Sequence, residues 1–237
     1  MYESTNDGRG WQEVESTFRP DRHGNVPALH MSEGGITLRS EPHAGRLIRP
    51  ARVYGDPGYN TAVFSDDGGD TWHASEPFPV AGTGEGAIVE LHAGELYYSS
   101  RTHWFGEDEP FRHERRSAWS DDGGRSWHHA AFEDTLPDGP RYCGRERRGN
   151  NYNSHFGMMA GLTRLPIPGR DVLLYSIADP VDHERRRRTV WGSFEGGETG
   201  PHKRLGYDDF SAYSTIANRC PGTASPGRVF LVFEYGK

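Results

Sequence analysis

The chain has 237 residues, of which Gly accounts for 31 and Pro for 16, with 33% hydrophobic residues and a formal net charge of −7. That charge argues against a broad nucleic-acid or anionic-membrane surface and leaves any anionic ligand to be captured by local arginine clusters. So many turn residues, with no sustained apolar stripe at helical period, argue against long helices and predict one all-β domain of short strands over residues 1–237.

In chain order, the first recognisable element is an eight-residue frame, Ser-x-Asp-x-Gly-x-Thr/Ser-Trp, in the worn copy Ser4-Thr5-Asn6-Asp7-Gly8-Arg9-Gly10-Trp11. Strands are predicted at 61–65, 87–91, 96–101, 172–176, 189–193, 212–217 and 229–234, each short and bounded by turn residues. The first of these runs into a clean copy of the frame, Ser65-Asp66-Asp67-Gly68-Gly69-Asp70-Thr71-Trp72, and a second clean copy runs from Ser120 to Trp127. A fourth, weaker copy begins at Ser193, with Glu195 where the acid belongs and Gly200 in place of the tryptophan.

Asp and Gly cluster where a tight hairpin needs side-chain capping of its own backbone and positive φ, and the terminal Trp can fold back over the turn. The frame is therefore a structural device, not a catalytic one. Its recurrence at intervals of roughly 60 residues is too long for one hairpin and suits a four-stranded blade, so the predicted fold is a β-propeller with about four blades present.

Other residues carry less. Cys143 and Cys220 are too few for a disulfide framework and read as free thiols. The histidines, including His103, His113, His155 and the pair His128-His129, lack zinc-site spacing, so neither a metal nor another cofactor is expected. Trp104, Phe105 and Tyr59 could line a sugar pocket but read first as packing residues, and Glu107, Asp108 and Glu109 read as a solvated acidic turn. No apolar run approaches the about 20 residues of a membrane helix, and residues 1–30 lack the apolar centre of a signal peptide, so the chain as written reads as soluble; its compartment is left open.

The boxes resemble the Asp boxes of the sialidase family, and the segments between them extend the resemblance over nearly the whole chain. Gly34-Gly35-Ile36-Thr37-Leu38, followed by Gly45-Arg46-Leu47-Ile48-Arg49-Pro50-Ala51, is similar to the family stretch that leads into a strand and an Asp box. Glu85 with Val89-Glu90-Leu91, then Gly94, Leu96 and Arg101, resembles the most specific of the family's patterns. Further likeness runs through 171–179, 185–193 and 211–215 to Phe233-Glu234.

The resemblance implies an exo-α-sialidase acting on sialylated glycoconjugates with retention. A sialic acid carries its carboxylate on the carbon to be attacked, so a neutral nucleophile avoids charge repulsion. Tyrosine fits, but with an ordinary pKa of about 10 it needs a base, and tyrosine-using sialidases are a known exception to the two-carboxylate scheme. By resemblance Tyr213 is the nucleophile and Glu85 its general base. Arginine forks hold the substrate carboxylate. Arg101 resembles one of three such arginines, and a second falls in the run Arg185-Arg186-Arg187-Arg188, where the family pattern favours Arg185, with Arg186 next. Strand alternation would put Arg185 and Arg187 on one face and the other two opposite.

Two family features are not found: the Arg-Ile-Pro motif bearing the first arginine, and the acid/base aspartate that follows it. Phe18-Arg19-Pro20-Asp21 echoes them but lies on the wrong side of the first box and is read as coincidence. The chain thus resembles the C-terminal two-thirds of a six-bladed sialidase, and an open propeller is expected to expose apolar blade faces or to take up the missing N-terminal portion as a partner. Three function classes stay open: the sialidase, a non-catalytic Asp-box propeller binding glycan or protein, and a hydrolase of neutral polysaccharides. Glu85, Arg101 and Tyr213 together discriminate, because a scaffold has no use for all three and a neutral-glycan enzyme none for the arginines.

Overall fold

A computed structural model describes residues 1–29, 33–55, 58–102, 114–138, 157–179, 185–200, 202–218 and 227–236. Cys143, Cys220, His103, His113, His155, Trp104, Phe105 and the Glu107–Glu109 turn lie outside the described residues. Among those described there is no helix.

The strands form a hairpin and three larger sheets. Tyr2–Glu3 (β1) pairs with Gln12–Glu13 (β2). Thr17–Arg19 (β3), Ile36–Thr37 (β4), Leu47–Val53 (β5), Tyr59–Ser65 (β6) and Thr71–Ala74 (β7) make a sheet in the order β3-β7-β6-β5-β4. All its pairs are antiparallel except β3 with β7. Thr83–Glu90 (β8), Leu96–Thr102 (β9), Glu114–Ser120 (β10) and His128–Pro137 (β11) form a simple meander. Gly161–Arg164 (β12), Leu173–Ala178 (β13), Arg186–Ser193 (β14), His202–Asn218 (β15) and Val229–Tyr235 (β16) complete the set.

β15 shows how successive units connect. Its first half, to Phe210, pairs with β14, and from Ser211 onward it pairs with β16. One strand is thus the outer edge of one blade and then pairs into the next, as radial repetition in a propeller requires.

The core lies between blades. Ile48, Ala62 and Phe64 of one sheet pack with Ile88, Leu96 and Tyr98 of the next, and Ala87, Val89 and Tyr97 of that sheet pack with Leu162, Leu173 and Tyr175 of the third. Leu96 and Tyr98 point one way and Tyr97 the other, so β9 is buried along its whole length. A strand sandwiched on both faces reads as a continuous apolar run instead of an alternating one. β16, by contrast, leaves Phe230, Val232 and Tyr235 exposed.

The boxes are hairpin turns: those at Ser65, Ser120 and Ser193 join the third and fourth strands of a blade, and the one at Ser4 joins β1 and β2. In every copy the serine hydroxyl accepts the backbone N–H of the fifth residue: Gly8, Gly69 and Gly124 at 2.9 Å and Gly197 at 3.0 Å. The third residue caps the far side of the turn, with Asp67 accepting from Thr71 N–H at 2.8 Å and Asp122 from Ser126 N–H at 3.0 Å. The Thr71 N–H, followed by the Ser65 hydroxyl, holds the Asp67 carboxyl down at about 2. The fourth and fifth residues take positive φ in all four turns, with Asp7 standing where the others have glycine. Trp72 donates Nε1–H to Gly69 O at 2.9 Å and is buried, whereas Trp11 is 66% exposed.

Candidate active site

Glu85 lies on β8, the first strand of its blade, beside a break in register between Thr83 and Gly86. Tyr213 lies in a second break, between Ser211 and Ser214 on β15. Such bulges re-aim a side chain that regular pleating would send elsewhere. Gly86 is obligatory there, since a Cβ would stand 2.3 Å from the Tyr98 ring.

Three of the residues singled out from the sequence meet. Tyr213 Oη donates to Glu85 Oε1 at 3.1 Å across 128 residues of sequence. Arg101 Nη1 donates to Tyr213 Oη at 3.3 Å and to the Gly157 carbonyl at 3.0 Å, and the same nitrogen pairs with Glu85 Oε2. Glu85 and Arg101 are buried. A phenol, a carboxylate and a guanidinium thus share one partly buried point, where charge-assisted hydrogen bonds are strengthened.

Arg185 stands beside them, its guanidinium carbon 5.7 Å from the centre of the Tyr213 ring. The alternation expected for the arginine run does not hold. Arg187 takes φ 64 and the β14–β15 register shifts around it, so the run bends instead of alternating. Arg187 donates to Asp208 at 2.8 Å. Arg188 is fully buried, donating to the hydroxyls of Ser211 at 2.7 Å and Ser214 at 2.8 Å and to the Ala212 carbonyl. Burial lowers its guanidinium to about 10, with Glu234 opposing. Arg188 therefore clamps the segment that carries Tyr213, and Glu234 accepts the Tyr213 N–H at 3.1 Å. A reading of the run as a solvated face misses this clamp, because its partners lie on another strand.

A second buried pair braces Arg101. Arg115, fully buried on β10, donates to Asp138 at 2.9 Å, Met158 O at 2.7 Å and Ser99 Oγ at 3.1 Å. Asp138 also accepts the Thr102 N–H at 2.5 Å, next to Arg101, and packs on Gly157, whose carbonyl Arg101 engages. Burial pushes the Asp138 carboxyl up to about 7 against the pull of Arg115. No local sequence signal marks this pair.

The Phe18-to-Asp21 echo takes other partners. Arg19 ends β3, the outermost strand of its sheet, and Asp21 is engaged by Tyr59 and by the N–H groups of His23 and Asn25. Tyr59 also accepts a hydrogen bond from Asn25 at 3.0 Å.

No protein-family model matches the chain. A sialidase of Micromonospora viridifaciens is 31% identical over 238 aligned residues, covering 98% of this chain. The chain is related to the sialidase family. It spans 33% of the length of that relative. Among solved structures, a Hadza microbial sialidase superposes with a TM-score of 0.67 at 26% identity, over 91% of this chain and 38% of the other. The leech intramolecular trans-sialidase gives a TM-score of 0.69 at 20% identity over 98% and 32%, a likeness of fold. The NanB sialidase of Streptococcus pneumoniae gives 0.62 at 21% over 92% and 30%. The β-propeller expected from the boxes, and likened to the sialidases', is thus the fold of the chain, with three blade sheets and one hairpin among the described residues where about four blades were expected.

Proposed function

We propose that this polypeptide serves as an exo-α-sialidase, releasing terminal α-linked sialic acid from glycoconjugates with retention of configuration. The observation that supports this reading is the convergence of Tyr213, Glu85 and Arg101 within hydrogen-bond distance of one another.

Arg101 and Arg185 hold the substrate carboxylate as paired forks, which turns the anomeric carbon toward Tyr213. In the free chain Arg101 pairs with Glu85. A bound carboxylate takes up part of that guanidinium and leaves Glu85 the stronger base toward the phenol. The Tyr213 proton moves to Glu85 as its oxygen bonds to the anomeric carbon and the glycosidic C–O bond breaks. The departing oxygen takes its proton from an acid outside this cluster. Water then attacks the tyrosyl-glycosyl intermediate from the vacated face, giving its proton to the same outside group that protonated the leaving oxygen, and Glu85 returns the proton to Tyr213, so two inversions give net retention. Arg188 and the Arg115–Asp138 pair act through position only.

Proton NMR of a sialoside digest by the full polypeptide tests this. Release of the α-anomer first, before mutarotation, is expected; the β-anomer first would overturn the tyrosyl route.

A further inference from the structure

Two consecutive blades share a second frame, Gly-x-Leu-x-x-x-x-Arg. It reads Gly45-Arg46-Leu47-Ile48-Arg49-Pro50-Ala51-Arg52 and Gly94-Glu95-Leu96-Tyr97-Tyr98-Ser99-Ser100-Arg101. Both glycines take φ 91, and each arginine is the sixth residue of a seven-residue second strand, β5 or β9. The third blade has Ala178 at the sixth position of β13, so the arginine is no requirement of the blade itself. Arg52 is the counterpart of Arg101, one blade earlier.

Its surroundings are those of a binding group. Alternation puts Ile48, Pro50 and Arg52 on one face of β5, and Ile48 packs there with Ile88 and Leu96 of the neighbouring blade. Arg52 therefore looks toward the β8–β9 end that carries Glu85 and Arg101. It is 8% exposed, and its Nε has no hydrogen-bond partner among the described residues. The guanidinium carbon lies 4.9 Å from the centre of the Tyr54 ring, and Nη2 approaches Gly58, where a Cβ would stand at 3.5 Å. Burial holds Arg52 below the ordinary arginine range; Arg101 adds to the effect, and Tyr54 and Glu85 oppose it. A buried guanidinium with an unanswered donor costs stability in the free chain and is relieved by an oxygen-rich ligand.

We infer that Arg52 is a substrate-contacting specificity residue, a guanidinium on the β5 side of Glu85 that donates to oxygen acceptors of the bound sugar. The inference rests on the sialidase reading above. With the carboxylate on Arg101 and the anomeric carbon at Tyr213, the acceptors a guanidinium can take are the second carboxylate oxygen, the oxygens of the ring substituents and the hydroxyls of the exocyclic chain.

Calorimetric titration of the full polypeptide with the 2,3-didehydro analogue of N-acetylneuraminic acid, and with the same analogue lacking its glycerol chain, separates these. Arg52→Met is expected to weaken binding of the complete analogue about 10- to 100-fold, Arg52→Lys to restore part of it, and the melting temperature of Arg52→Met to hold or rise. A loss confined to the complete analogue assigns the exocyclic chain; an equal loss on both assigns the carboxylate or a ring substituent. Unchanged affinity in Arg52→Met beside a loss in Arg101→Ala would overturn the role of Arg52 alone. A fall in melting temperature with Arg52→Met and unchanged affinity in Arg52→Lys would make Arg52 structural and also overturn it. Failure of the wild type to bind either analogue would remove the sialidase reading and this inference together.

Discussion

Replacing Gly124 and Gly68 by alanine, one at a time, separates two functions of the box turn. Both glycines hold positive φ, 84 and 75, so each substitution carries the left-handed penalty of about 1 to 2 kcal/mol. Their surroundings differ. A Cβ on Gly68 meets nothing within 4 Å, whereas on Gly124 it would stand 2.1 Å from Ile48 Cδ1 and 3.2 Å from Leu96 Cδ1. Ile48 is 1% exposed and belongs to the preceding blade, so it has no room to step aside. Overpacking of that kind adds about 1 to 3 kcal/mol. Gly124→Ala should therefore cost about 2 to 5 kcal/mol in urea unfolding followed by tryptophan fluorescence, and Gly68→Ala about 1 to 2 kcal/mol. At roughly 2 to 4 °C per kcal/mol for a chain of this size, melting should drop by roughly 10 °C and 4 °C respectively. The entropy that alanine removes from the unfolded chain is common to both and cancels. Equal costs within about 0.5 kcal/mol would show that the turn merely closes a hairpin and does not lock one blade against the next.

Other substitutions test the site and its supports. Arg101→Ala should weaken binding of a sialic-acid analogue by about 2 to 4 kcal/mol in calorimetry, and unaltered affinity would remove Arg101 from the site. Arg188→Lys keeps the charge but loses the fork that holds Ser211, Ala212 and Ser214; it should lower stability by roughly 2 kcal/mol and turnover with it, and a turnover matching the wild type would show that Tyr213 needs no clamp. Burial raises the Glu33 carboxyl above its ordinary 4.5 in the folded chain, although Thr215 donates to it at 2.7 Å. The folded state then keeps a proton that the unfolded state has lost, so this residue's contribution declines as pH rises above about 4.5. Melting of Glu33→Gln relative to wild type should accordingly improve between pH 4.5 and 7.5; a constant difference would show that Glu33 ionises freely in the fold.

The parts of the fold legible in the sequence are those whose determinants are local. Each box satisfies its own backbone within eight residues, so Ser65, Asp67 and Gly69 announce the turn without help from the rest of the chain. The strand 96–101 is legible from its aromatic content and flanking turn residues, though its burial on both faces is not. β10 does not read as a strand in sequence, because Arg115 and Arg116 look like solvent-facing charges until Asp138 and the Phe132 ring, 3.4 Å from the Arg116 guanidinium carbon, are placed against them. In the site, Tyr213, Glu85 and Arg101 were legible through resemblance. The arginine run departs from alternation because the bend at Arg187 depends on β15, which lies beyond the turn at Ser193. Arg52 has no local signal for the same reason: only the packing of Ile48 against the next blade shows which way β5 faces.

The most direct measurement is hydrolysis of a fluorogenic sialoside by the full polypeptide with Tyr213→Phe and Glu85→Ala, each checked for a native melting temperature. Loss of turnover by about 100-fold or more in both variants is the predicted result, since one removes the nucleophile and the other its base. Turnover at the wild-type rate in either variant would contradict a phenol activated by Glu85.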